Sequence, residues 1–204
     1  MRSNTSTLLR AGAVTPMALA AALCFAGTAH AAVSVNWSCQ ATVGTSSMTT
    51  SVTGTAPGSV TAGSPVAITI APGSSTVPTS AAGVTVVKIS NMKMLIPVPA
   101  NSTYVSSSAS GGTFPGTTAL VSGNVVLTVP GPIPGGSSYI PPAVTINVTA
   151  NAPGSITSKY AGTSYSNPGM TFTTRVKPPI VPEVDLATAC YPNPSPTLTT
   201  TTVT

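Results

Sequence analysis

An all-β sandwich is the fold class the sequence predicts. Apolar residues alternate with period two along several stretches, Gly- and Pro-based turns separate those stretches, and helical periodicity is absent after residue 31. Of 204 residues only seven are Lys or Arg and two are Asp or Glu, about 4% against a globular average of about 25%. Polarity therefore comes from Ser and Thr hydroxyls. Eighteen Gly and 21 Pro supply the turns, and the length suits one domain of ordinary size.

Residues 1–31 have the pattern of a cleaved signal peptide. Arg2 and Arg10 make a positive start, Ala11 to Gly27 is an Ala-rich apolar stretch, and Ala29-His30-Ala31 fits an A-x-A cleavage site. Leu23 before Cys24 does not suit a lipid-attachment site. The expected product is secreted or held at the cell surface, cut near Ala31, with a single β-sandwich domain over 32–204 and no transmembrane segment. Losing Arg2 and Arg10 lowers the formal net charge from +5 to +3. The remaining cations are dispersed and lack interleaved aromatics, so nucleic acid is not an expected partner.

The mature chain keeps two cysteines, Cys39 near its start and Cys190 near its end. An even count in an exported protein predicts a disulfide joining the N- and C-terminal strands. The first predicted strand carries Val33, Val35, Trp37, Cys39, Ala41 and Val43 in one phase and hydroxyls or amides in the other, which points Cys39 inward beside Trp37. Val66, Ile68 and Ile70 follow the same rule, as do Val125, Leu127 and Val129, and Val144, Ile146 and Val148. Met170, Phe172 and Val176 alternate with Thr171, Thr173, Arg175 and Lys177. Between Val84 and Val98 the phase slips, from Val87 and Ile89 to Met92, Met94 and Ile96, which predicts a bulge or break near Ser90-Asn91. Pro97 and Pro99 end that run or confine it to an edge. Val184, Leu186 and Cys190 share a phase that sends Glu183 and Asp185 outward. The Thr-rich end, 197–204, is expected to fray. Residues 53–61 and 149–157 echo one another around Ala-Pro-Gly-Ser, a repeat of turn chemistry or of a small unit.

Candidate chemistry is sparse. Glu183 and Asp185 are neighbours on one strand face, which is not the arrangement of a paired-carboxylate site. Removal of His30 with the signal excludes triads that need imidazole. Ser90-Asn91-Met92-Lys93 has S-x-x-K spacing, but on a strand those two residues point to opposite faces. Two thiolates without histidine cannot complete a zinc site. The expectation is a non-enzyme with no catalytic residue, cofactor or metal.

The segment from Ala56 to Ile70 resembles the opening strands of bacterial immunoglobulin-like domains. With Trp37-Ser38-Cys39, the block Gly162 to Gly169 and Cys190-Tyr191-Pro192-Asn193-Pro194, the chain is similar to small secreted actinobacterial proteins with no established activity. That resemblance implies an immunoglobulin-like sandwich of the cell envelope or exterior and transfers no site residue. The expected function is structural, adhesive or partner-binding, toward an envelope polymer, a protein or a second copy. The alternative is a carrier of an apolar, lipid-like ligand with Met92, Met94, Leu95 and Ile96 at its mouth. A carbohydrate-binding module built on the tyrosines comes third.

Overall fold

The computed structural model describes residues 28–204. Residues 1–27 of the expected signal peptide lie outside them. The chain forms β1 (Thr28–Ala41), β2 (Gly44–Pro57), β3 (Ser59–Val60), β4 (Pro65–Pro72), β5 (Ser75–Thr76), β6 (Ser80–Ala81), β7 (Val84–Pro97), β8 (Ser102–Ser110) and β9 (Thr117–Val121). It continues through β10 (Asn124–Val129), β11 (Ile133–Pro134), β12 (Ser138–Tyr139), β13 (Ala143–Ala150), β14 (Gly154–Ser158), β15 (Met170–Lys177), β16 (Val184–Pro192) and β17 (Thr199–Val203). Helices are absent among the described residues, and all pairings but one are antiparallel. The all-β class is as the alternation predicts.

Ten strands form one path, β8-β13-β4-β2-β1-β16-β15-β7-β10-β9. Its two terminal strands approach each other, so the sheet is nearly closed. Ser107 Oγ donates to Thr118 Oγ1 at 3.1 Å across that gap, where no backbone ladder joins β8 to β9.

Alternation dictates the interior. Val35, Trp37, Ile68, Ile70, Leu127 and Ile146 join one contiguous buried cluster, each on the apolar phase of its strand. Trp37 donates from Nε1 to Thr50 Oγ1 at 3.0 Å, so its polar edge is satisfied inside the core. The phase slip in β7 is a bulge. Lys93 pairs Thr171 and Ser90 pairs Thr173, which leaves one extra residue on β7, and Asn91 adopts a left-handed φ of 52°. Asn91 N–H then bonds Pro130 O at 2.9 Å rather than the ladder. Pro97 ends β7, which is a central strand.

Cys39 and Cys190 form the disulfide as directly opposed residues of β1 and β16, with Cα atoms 4.0 Å apart. Both are buried. The bond therefore lies within one sheet, at the junction between the N-terminal and C-terminal strands, rather than bridging two facing layers. A separation of 151 positions closes naturally here because β1 and β16 are neighbours.

Two expectations change. The Thr-rich end does not fray: β17 is the middle strand of a small sheet, β14-β17-β3, with Thr199, Thr201 and Val203 buried. Ser158 and Thr199 share a hydroxyl hydrogen bond of 2.5 Å there. The echoing segments lead into β3 and β14, the two strands that flank β17. Val184 is exposed rather than inward, because β1 ends at Ala41 opposite Thr188 and leaves the start of β16 overhanging. β1 begins at Thr28, so Ala29-His30-Ala31 pairs along the backbone with Ala56, Thr55 and Gly54.

Candidate binding surfaces

The residues expected at a carrier's mouth are core residues. Met92, Met94 and Ile96 are buried in the central cluster, where the Tyr139 hydroxyl points at Met92 Sδ over 3.9 Å. Leu95 alone faces outward. The five tyrosines divide similarly. Tyr160 is buried against Trp37 with ring centroids 5.1 Å apart, Tyr165 packs edge-on to Tyr191 at the same distance, and Tyr139 is buried. They do not form one platform.

Burial raises the Tyr139 phenol above its ordinary range, and raises Tyr160 much further. A phenol whose folded pKa is raised stabilises the fold fully below the unfolded value, about 10, and that contribution is lost as pH rises toward the folded value. Urea midpoints should hold steady to about pH 10 and then fall as the tyrosines ionise in the unfolded chain but not in the folded one. Tyr160→Phe should flatten that fall, and an unchanged slope in the variant would show that Tyr160 is not its source.

Charge is segregated. Among the described residues Lys88, Lys93, Arg175, Lys177, Glu183 and Asp185 all lie on β7, β15, β16 or the turn before β16. Lys88, Arg175 and Asp185 occupy one row across three strands, and Arg175 grips Asp185 with both forks, at 2.7 and 2.6 Å. Those hydrogen bonds hold the Asp185 carboxyl below its usual range and raise Arg175. The pair is solvent-exposed, with 37% of the Arg175 and 47% of the Asp185 side chain accessible, a surface tie between adjacent strands. Glu183 and Asp185 stand on this surface as expected, and Ser90 and Lys93 sit either side of the bulge.

Lys159 stands apart from this strip. It borders a depression of about 360 Å³ between the end of β7 and the loop 159–169, lined also by Asn124, Thr163, Asn167 and Ser195. The loop is pinned like a strand: Ala161 N–H bonds Leu95 O at 2.9 Å, Leu95 N–H bonds Gly169 O at 2.8 Å, and Gly169 N–H bonds Cys190 O at 2.9 Å. Its two limbs cross so closely that a Cβ on Gly169 would lie 1.7 Å from Ala161 O, and Gly162 turns with φ +102°. Only glycine fits at either position.

The unpaired edges of β8 and β9 form a second surface. Tyr104 Oη lies 3.0 Å from Ser107 Oγ, which reaches Thr118, so three hydroxyls span the gap. Beside them Val105 is 62% exposed, Leu120 46% and Val121 52%, an apolar border on an otherwise hydroxyl-rich edge. Val105 falls at an irregularity, where β13 pairs Asn147 with Ser106 and Val148 with Tyr104. Neither surface is legible in the sequence, because β8 is a Ser run and the depression gathers residues from four distant segments.

No family model matches this chain, and no curated protein is similar enough to count as a relative. In fold it is similar to a crystal structure from the actinobacterium Corynebacterium diphtheriae, of a protein provisionally named as membrane anchored. The TM-score is 0.50 at 21% identity, over 87% of this chain and 38% of that one. This chain thus spans well under half the length of that protein, and the likeness is one of fold. Among the described residues no helix is long and apolar enough to cross a membrane.

Proposed function

We propose that this is an exported, non-catalytic β module of the cell envelope or exterior, which binds a partner by strand addition at the edges of β8 and β9. The pattern at residues 1–31 supports export, with cleavage near Ala31. The two halves of the ten-strand path, either side of the β1–β16 junction, are read as the layers of a sandwich with immunoglobulin-like character. The observation that carries the binding role is the pair of facing, unladdered edges bordered by Val105, Leu120 and Val121. Edge strands present unpaired N–H and C=O groups, and proteins usually cover, shorten or charge them. Here β8 is nine residues long and neither edge strand carries a charge. An extended segment gains main-chain hydrogen bonds at such an edge and specificity from alternate side chains. A neighbour in fold named as membrane anchored supports that setting and transfers no partner.

Co-sedimentation with envelope fractions of the host tests this reading. The mature protein should sediment with them, and V105K/L120K should lose that binding while keeping its fold, since both side chains are exposed and charges block edge pairing. A protein that stays monomeric and binds no fraction, or a variant that binds as well as the parent, would overturn it.

A further inference from the structure

We infer that the depression beside Lys159 is a binding site for a hydroxyl-rich ligand carrying a negative charge, of the class of an acidic sugar unit. The site is separate from the β8 and β9 edges, so it stands or falls independently of the strand-addition reading.

Hydrogen-bond accounting sets the ligand's chemistry. Asn124 donates from Nδ2 to Ser122 O at 3.2 Å, and Asn167 donates from Nδ2 to Thr163 Oγ1 at 3.1 Å. Each amide keeps its oxygen and a second N–H available, and Thr163 keeps its hydroxyl hydrogen. Ser195 donates its hydroxyl hydrogen to Tyr160 O at 2.9 Å and keeps its lone pairs. The neutral polar groups of the wall thus offer both acceptors and donors, which suits hydroxyls, since a hydroxyl does both. Lys159 adds the opposite chemistry, an ammonium with three donors and no acceptor.

Lys159 has no ion-pair partner among the described residues, whose one salt bridge is Arg175–Asp185. The two acidic side chains belong to the charged strip, where Arg175 already holds Asp185 and Glu183 precedes β16. Elsewhere the described residues concentrate their charge on one strip, so a lone cation over a concave site lined by amides and hydroxyls fits an anionic group. The volume, about 360 Å³, falls at the small end of ligand sites, about 300–1,000 Å³. Preorganisation adds to the case, because the loop is held to β7 by backbone hydrogen bonds and ordering it costs little on binding.

Amide-resolved NMR titration of the mature protein tests this, using trigalacturonate, neutral galactotriose and inorganic phosphate as probes. Trigalacturonate should shift the amides of Leu95, Thr163 and Asn167 and saturate. Galactotriose and phosphate should each bind at least ten-fold more weakly, since each supplies half of the required chemistry. K159M should lose at least ten-fold in trigalacturonate affinity with the rest of its spectrum unchanged, and K159R should stay within about three-fold of the parent, as both keep a long exposed side chain. Equal binding of galactotriose would remove the role of Lys159. Equal binding of phosphate would reduce the site to an anion contact, and shifts confined to other strands, or none at all, would overturn the assignment.

Discussion

Replacing Cys39 and Cys190 together by alanine should lower the unfolding free energy by about 3–5 kcal/mol. The crosslink closes a loop of 151 positions, for which the chain-entropy relation gives about 5 kcal/mol, an upper bound where the reduced chain retains structure. Native geometry should survive, because the pair sits in register between β1 and β16 and five residues of each strand are paired there, from Trp37–Pro192 to Ala41–Thr188. The effect thus falls mainly on the unfolded chain, which should expand without its crosslink. Urea unfolding should show a steeper denaturant slope together with the lower midpoint. A loss below 1 kcal/mol would mean that the reduced, unfolded chain is already held compact by other contacts.

Trp37→Ala should cost a similar amount, about 3–5 kcal/mol, for a different reason. The side chain is 1% exposed and is the largest fully buried one among the described residues, so truncation leaves a cavity in a core built by many strands. It also strips Thr50 Oγ1 of its donor and Tyr160 of the ring that packs against it. Trp37→Phe separates these contributions: it keeps most of the ring and should cost about 1–3 kcal/mol, the penalty for a buried group left unpaired plus the smaller volume. A double-mutant cycle with Tyr160→Leu, which removes the partner ring, read by far-UV circular dichroism because Trp37 is the one tryptophan, should detect coupling between the two rings. Near-parental stability of Trp37→Ala would contradict its place at the centre of the core.

Legibility in the sequence followed the apolar residues. β1, β4, β10 and β13 alternate Val, Ile, Leu or Trp with polar residues, so their inward faces can be read directly, and the inward pointing of both cysteines with them. The slip in β7 was equally visible, since a bulge changes the phase of an apolar run. β17 was opaque for the converse reason. Thr199, Thr201 and Val203 face inward while Thr200 and Thr202 face out, and a run of identical residues carries no period. Its inward placement is also imperfect, for the Thr201 hydroxyl is buried without a hydrogen-bond partner among the described residues. Ser-rich β8 hid its edge position in the same way. The Lys159 depression depends on tertiary structure: Asn124, Lys159, Asn167 and Ser195 meet because loop 159–169 is hydrogen-bonded along β7, a contact that no spacing encodes.

Amide hydrogen exchange along β8 and β9 tests most directly the claim that this module binds through its open sheet edges. In the free protein the outward amides of Ser102–Ser110 and Thr117–Val121 should exchange quickly, while those of β1, β4 and β13 are protected by neighbours on both sides. Adding the envelope fraction should protect the outward amides of the two edge strands. Binding with β8 and β9 still exchanging at the free rate would contradict the account, because a partner strand cannot pair with an edge and leave its amides open to water.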